Sequence, residues 1–142
     1  MSGFNPRSRA RSWALQMLYA WDVSDGELAL PSFAERNFAL RSISHRYRPY
    51  AESLLASLAE HLPEVDSRIQ RNLANWRLER LTAIDRSILR LATTELLTIP
   101  DVPTRVAIHE AIRLAERYGT EESPRFVNGV LDAVARGRNQ KT

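Results

Sequence analysis

Apolar residues recur at three- and four-residue steps between Leu81 and Ile99: Leu81, Ile84, Ile88, Leu91, Ala92, Leu96 and Ile99. That spacing is one face of an α-helix. Leu89 widens the apolar arc beyond what a surface helix needs, so this helix is expected to touch several neighbours and form the spine of the domain. Thr82 and Asp85 have capping-box spacing, with Asp in place of the usual Glu or Gln. Pro100 and Pro103 stop the helix at its far end. Glu95 projects within or beside the apolar face, and an unpaired buried carboxylate is too costly to keep, so an arginine partner is expected. Asp85 reads two ways: as an acid favoured near the positive helix start, or as a partner-binding acid at the rim of the core.

The same periodicity organises the rest of the chain. Asn5-Pro6 reads as N-cap and first helical position, followed by an apolar face of Ala10, Trp13, Ala14, Met17, Leu18 and Trp21. Ser24-Asp25-Gly26 is a turn. Ser32 and Glu35 form a capping box that opens a short helix to about Leu40. After a polar connection, a longer helix begins near Arg46 and carries Tyr50, Ala51, Leu54, Leu55, Leu58 and Leu62 inward. Pro63 ends it, or joins it tightly to a helix lined by Val65, Ile69 and Leu73. Beyond the spine, a helix from Pro103-Thr104 buries Ala107, Ile108, Ala111, Ile112, Leu114 and Ala115, and Gly119 sits where a left-handed C-terminal cap belongs. Ser123-Pro124 starts the last helix, whose Gly129 implies close helix contact. No window reads as a strand. The expectation is an all-α bundle of about seven helices in a single domain over residues 1–142, with 1–5 and 137–142 flexible.

Composition narrows the function classes. The chain has 142 residues, 44% of them hydrophobic, enough for one folded domain with a core. No window approaches the roughly 18 uninterrupted apolar residues of a membrane span, and no apolar block follows the N-terminal arginines as in a secretory signal. The lack of cysteine excludes disulfides and thiolate chemistry and fits a cytoplasmic protein. The net charge is only +3, yet Lys141 is the sole lysine among the 20 basic residues. Arginine offers a planar fork that suits phosphates and stacks on bases.

The arginines are unevenly placed. Arg7, Arg9 and Arg11 lie in the first turns of the first helix, and the first acid is Asp22. Positive charge at a helix N-terminus opposes the macrodipole, so the cluster reads either as a nucleic-acid contact or as a solvated face. Gln16 and Tyr19 continue its polar side. The segment from Tyr118 to Phe126 joins two helices and offers two aromatics, Arg125 and amides at a helix start. These suit unstacked bases and phosphates, unless both rings are simply core. Catalytic patterns are lacking. The five glycines build no phosphate loop, His45, His61 and His109 have no metal spacing, and no serine sits in a nucleophile elbow. No cofactor or metal is expected.

Four stretches carry a resemblance: RSRARSWALQMLYAW (7–21), LERLTAIDRSILRLATTELL (78–97), DVPTRVAIHEAIRLAERYG (101–119) and SPRFVNGVLDAVA (123–135). Together they resemble the NusB family of bacterial transcription antitermination factors, over nearly the whole chain; residues 24–76 resemble it only in helical pattern. The resemblance implies two packed helical sub-bundles and no enzymatic activity. It implies binding of single-stranded boxA RNA together with the ribosomal protein NusE, helping the transcription elongation complex read through terminators, notably in ribosomal RNA operons. Carried over by position, Arg7, Arg9, Arg11 and Gln16 would sit at the RNA face, with Tyr118, Glu122, Arg125 and Phe126 on its other side. Tyr19, Glu79 and Asp85 would fall on the NusE side. Ser8 interrupts the arginine tract, and Pro124 lacks a backbone N–H. Alternatives are the NusB-like RNA-binding domain of a ribosomal RNA cytosine methyltransferase, for whose cofactor domain a chain ending at Thr142 leaves no room, and a helical interaction module without RNA, such as a homodimer that hides its arginine face.

Overall fold

Ten consecutive residues of the predicted spine, Ser87 to Leu96, are buried. A helix buried all round must lie among others, and the rest of the chain is arranged about this one. The computed structural model describes residues 6–24, 29–41 and 44–139. Its helices are α1 (Pro6–Asp22), α2 (Leu30–Arg41), α3 (Arg48–Arg71), α4 (Ala83–Thr98), α5 (Thr104–Tyr118) and α6 (Ser123–Asn139), with a 3-10 turn at Leu78–Arg80 before α4. Helices α1, α2 and α3 pack on one another; α5 and α6 pack on each other; α4 touches α1, α3, α5 and α6. The result is two helical sub-bundles sharing α4, and no strand occurs among the described residues.

Six α-helices replace the expected seven because α3 runs through Pro63. Its apolar period does not break there: Ala51, Leu54, Leu55, Leu58, Val65 and Ile69 are all buried in one helical frame. Pro63 is exposed, so the loss is one backbone hydrogen bond, outweighed by burial on both sides. Helix α2 also starts earlier than the Ser32 capping box. The Phe33 amide donates to the Ala29 carbonyl at 3.0 Å, Leu30 and Ala34 are buried, and Ser32 and Glu35 are exposed. Pro31 falls in the first turn, where no N–H is needed. Helix α6 persists to Asn139. Asn5, Asp25 and Gly26, with the turn and cap assigned to them, lie outside the described residues, as do 1–4 and 140–142.

The α4 cap forms as its spacing predicts: Thr82 Oγ1 accepts from the Asp85 amide at 3.2 Å. The two glycines of interest behave otherwise. Gly119 has φ −93° and ψ −163°, an extended conformation open to any residue. Its requirement is space, since a Cβ would lie 2.5 Å from Ser123 Oγ, 2.6 Å from Ser123 Cβ and 2.9 Å from the Ala115 carbonyl oxygen. Ser123 is buried and its Oγ accepts from the Thr120 amide at 2.9 Å. The cap therefore begins at Thr120, three residues before the expected N-cap. Gly129 faces open space, with nothing within 4 Å of a built Cβ, so no close helix contact holds it.

Gly119→Ala should therefore cost about 1–3 kcal/mol through overpacking of the α5–α6 corner. Gly129→Ala should leave stability unchanged or raise it by about 0.5–1 kcal/mol. Urea denaturation of both variants reads the contrast directly.

Candidate nucleic-acid interface

Helix α1 is the element on which the candidate residues meet. Its buried positions are Ala10, Arg11, Ala14, Leu15, Met17 and Leu18, while Trp13 and Trp21 are only partly buried. The inward face is therefore turned toward Arg11 and Leu15 from the expected one. This corrects the reading of Arg11 as a phosphate contact, because its side chain is 4% exposed. Arg11 Nε donates to Glu95 Oε2 at 2.8 Å, and Nη1 lies 3.4 Å from Glu110 Oε1. Tyr50 Oη donates to the same Glu95 oxygen at 2.5 Å. Glu95 of α4 thus ties α1 and α3 to it, and Arg11 extends the network to Glu110 of α5. Burial, and next the hydrogen bond to Glu95, push the Tyr50 hydroxyl's ionisation well above its ordinary 10.0, so it stays a donor. Glu95 has the arginine partner that its position demanded.

Arg7 and Arg9 stand one turn and half a turn before this anchor and remain at the surface. The Arg7 guanidinium lies 4.5 Å from the Tyr50 ring centroid and pairs with Asp101 at 3.1 Å, both partners well exposed. Arg9 lies 6.0 Å from the Tyr47 ring. Such contacts hold arginine forks over aromatic faces, and the exposed Arg7–Asp101 ion pair is weak enough to exchange for a phosphate. Tyr47, Tyr50 and Asp101 were not candidates from sequence, since Tyr50 reads there only as one more apolar position.

The next turns of α1 meet the end of α5. Ser12 Oγ and Tyr118 Oη are 2.6 Å apart, and Gln16 Nε2 donates weakly to Tyr118 Oη at 3.4 Å. The half-buried Tyr118 ring has the Arg117 guanidinium 5.3 Å from its centroid. Across the Gly119–Glu122 corner, Glu122 and Arg125 are exposed and Phe126 is half-buried against the core. The structure thus joins Gln16 to Tyr118, puts Arg7 and Arg9 beside the Tyr50 and Tyr47 rings at the start of α1, and has Glu122, Arg125 and Phe126 follow Tyr118 through the corner.

Tyr19, Glu79 and Asp85 gather at the opposite end of α1, about 18 Å from Arg7 along the helix. Tyr19 is 40% exposed and Trp76 59%. Arg86 links the elements there. It pairs with Asp22 at 2.8 Å and donates to the carbonyls of Leu78, Glu79 and Leu81 at 3.2, 3.3 and 2.9 Å. Arg90 grips Asp66 with two hydrogen bonds of 2.9 Å. Glu79 ionises more readily than usual, first through its own backbone amide and next through Arg77. Asp85 Oδ1 is buried and has no hydrogen-bond partner among the described residues. The cap at Thr82 uses the amide of residue 85 and not its carboxylate. No group of His, Cys, Asp and Glu that could hold a metal ion occurs among the described residues, and no helix there is long and apolar enough to cross a membrane.

The sequence profile of the NusB family matches residues 8–136. The transcription antitermination protein NusB of Sorangium cellulosum is 43% identical over 129 residues, covering 91% of each chain. The crystallised T. maritima NusB superposes with a TM-score of 0.84 at 38% identity, covering 93% of this chain and 92% of that one. A NusB solved with NusE and double-stranded RNA superposes with a TM-score of 0.81 at 29% identity, covering 93% and 97%.

Removing the shared carboxylate would leave Arg11 buried with only Glu110 beside it. Glu95→Ala should lower stability by about 3–5 kcal/mol, whereas Arg7→Ala should cost no more than about 1 kcal/mol. Equal losses in urea denaturation would contradict this division between anchor and surface.

Proposed function

This chain belongs to the NusB family, and from that premise we propose that it is a transcription antitermination protein that binds single-stranded boxA-type RNA together with the ribosomal protein NusE. Its place is then in the transcription elongation complex, supporting ribosomal RNA transcription, as a cytoplasmic binding protein rather than an enzyme. One observation carries the reading: α1 has arginines over tyrosine rings at one end, and at the other an acid-bearing surface with exposed Tyr19 and Trp76.

In this reading Arg7, Arg9 and Arg125 hold phosphates, and Tyr118 and Phe126 offer ring surface to unstacked bases. Gln16 acts at the Tyr118 hydroxyl. Arg11 positions the others by fixing α1 on Glu95. Glu122, an exposed acid beside Arg125, mildly opposes RNA and sharpens discrimination. Tyr19, Glu79 and Asp85 face NusE.

Fluorescence anisotropy with a labelled boxA-like strand, a scrambled strand and a duplex tests this, with and without NusE. Selective binding to the boxA-like strand that tightens with NusE is expected. Equal binding to all three with no NusE effect would leave a helical interaction module instead. Substituting Arg7 and Arg9 by Ala should weaken RNA binding and flatten the log–log salt slope by about 1.4, at roughly 0.7 per phosphate on a single strand. An unchanged slope would remove them from the RNA face.

Asp85→Asn keeps the Thr82 cap, so it should weaken NusE binding by about tenfold, the cost of an altered charged hydrogen bond, with little change in melting temperature. A lower melting temperature with unchanged NusE affinity would return Asp85 to a purely structural role.

A further inference from the structure

The outer face of α5 belongs to neither surface described above. Arg105, His109, Arg113 and Arg117 follow one another at four-residue steps and are all exposed. Buried Ala107, Ile108, Ala111, Leu114 and Ala115 occupy the opposite side of the helix. Each step rises about 6 Å, so the row is about 18 Å long. It drifts around the axis as it advances, and its last member comes to lie over the Tyr118 ring at 5.3 Å. The row therefore leads into the corner where Tyr118 meets Ser12 and Gln16 on α1.

Acids neutralise this row only in part, for one exposed acid, Glu116, shares its face. Glu110 is turned inward to Arg11 at 3.4 Å and reaches Arg113 only at 3.9 Å. Arg105 and Arg117 have no ion-pair partner among the described residues. Helix stability does not account for the pattern, because like charges four apart repel and Arg105 sits in the first turn, at the positive end of the helix dipole. The only ring along the row before Tyr118 is the His109 imidazole, so it offers chiefly guanidinium forks for a backbone and little platform for bases.

We propose that this face of α5 holds the phosphates of single-stranded RNA flanking the segment bound at α1 and the α5–α6 corner. The contact is sequence-independent and lengthens the RNA footprint by a few nucleotides. It rests on the RNA reading above, and its test separates the two. Anisotropy is measured for a short boxA-like strand and for the same strand extended by about eight unstructured pyrimidines at either end, against the full chain and the double variant R105Q and R113Q. The full chain should bind one extended strand roughly three- to tenfold more tightly than the short one, with a salt slope steeper by about 1.4 for two phosphates. The double variant should lose that gain and keep the short-strand affinity within twofold, with an unchanged melting temperature.

Equal affinity and slope for short and extended strands would overturn the inference while leaving the RNA reading intact. No binding of the short strand would overturn both. If the variant instead weakens NusE binding and leaves both RNA affinities alone, the face is a protein contact and the inference fails.

Discussion

The arginine-bearing end of α1 depends on a single buried carboxylate. Glu95 is 2% exposed and accepts from Arg11 of α1 and Tyr50 of α3. A carboxylate in that position is tolerable only because both donors arrive with good geometry. The pairing fixes more than stability: it sets how far α1 slides and rotates against α3 and α4. With Arg11 held inside, Arg7 and Arg9 are displayed beside the Tyr50 and Tyr47 rings. The arginine cluster thus divides its labour, one member placing the helix and two presenting charge. Its unfavourable position at a helix start is offset locally by the rings and by Asp101.

The other end of α1 is fixed by a different arginine. Arg86 binds Asp22 and three carbonyls of the Leu78–Leu81 segment, so the loop carrying Glu79 cannot move independently of α1. Arg90 locks α3 to α4 through Asp66. Much of the chain's arginine is consequently structural, in forks that lysine would not reproduce. What remains outside lies at α1, α5 and the start of α6.

The fold was legible wherever periodicity was long. The α4 spine, its Thr82 cap and its proline stop all follow from residue spacing, and so does the pairing of Glu95 with an arginine. Pro63 misled because local chemistry says stop, while the burial of Val65 and Ile69 in register with Leu58 says continue. Arg11 was legible in part. It shares a helical face with Leu15 and Leu18, but only the packing of α4 beside α1 supplies its partner 84 positions away. Tyr47, Tyr50 and Asp101 could not be found, since their role exists only through contacts across helices. The resemblance pointed to Tyr118, and the structure adds its Ser12 hydrogen bond. Gly119 was recognised as necessary for the wrong reason: the constraint is the approach of Ser123, with no left-handed backbone.

In the proposed reading the two ends of α1 serve two different partners. Backbone amide NMR of the labelled full chain, titrated separately with a boxA-like strand and with NusE, tests it most directly. RNA alone should shift amides around Arg7–Gln16 and Tyr118–Phe126. NusE alone should shift those around Tyr19–Val23 and Trp76–Asp85. If both ligands shift the same set of amides, the division of α1 into two surfaces is wrong.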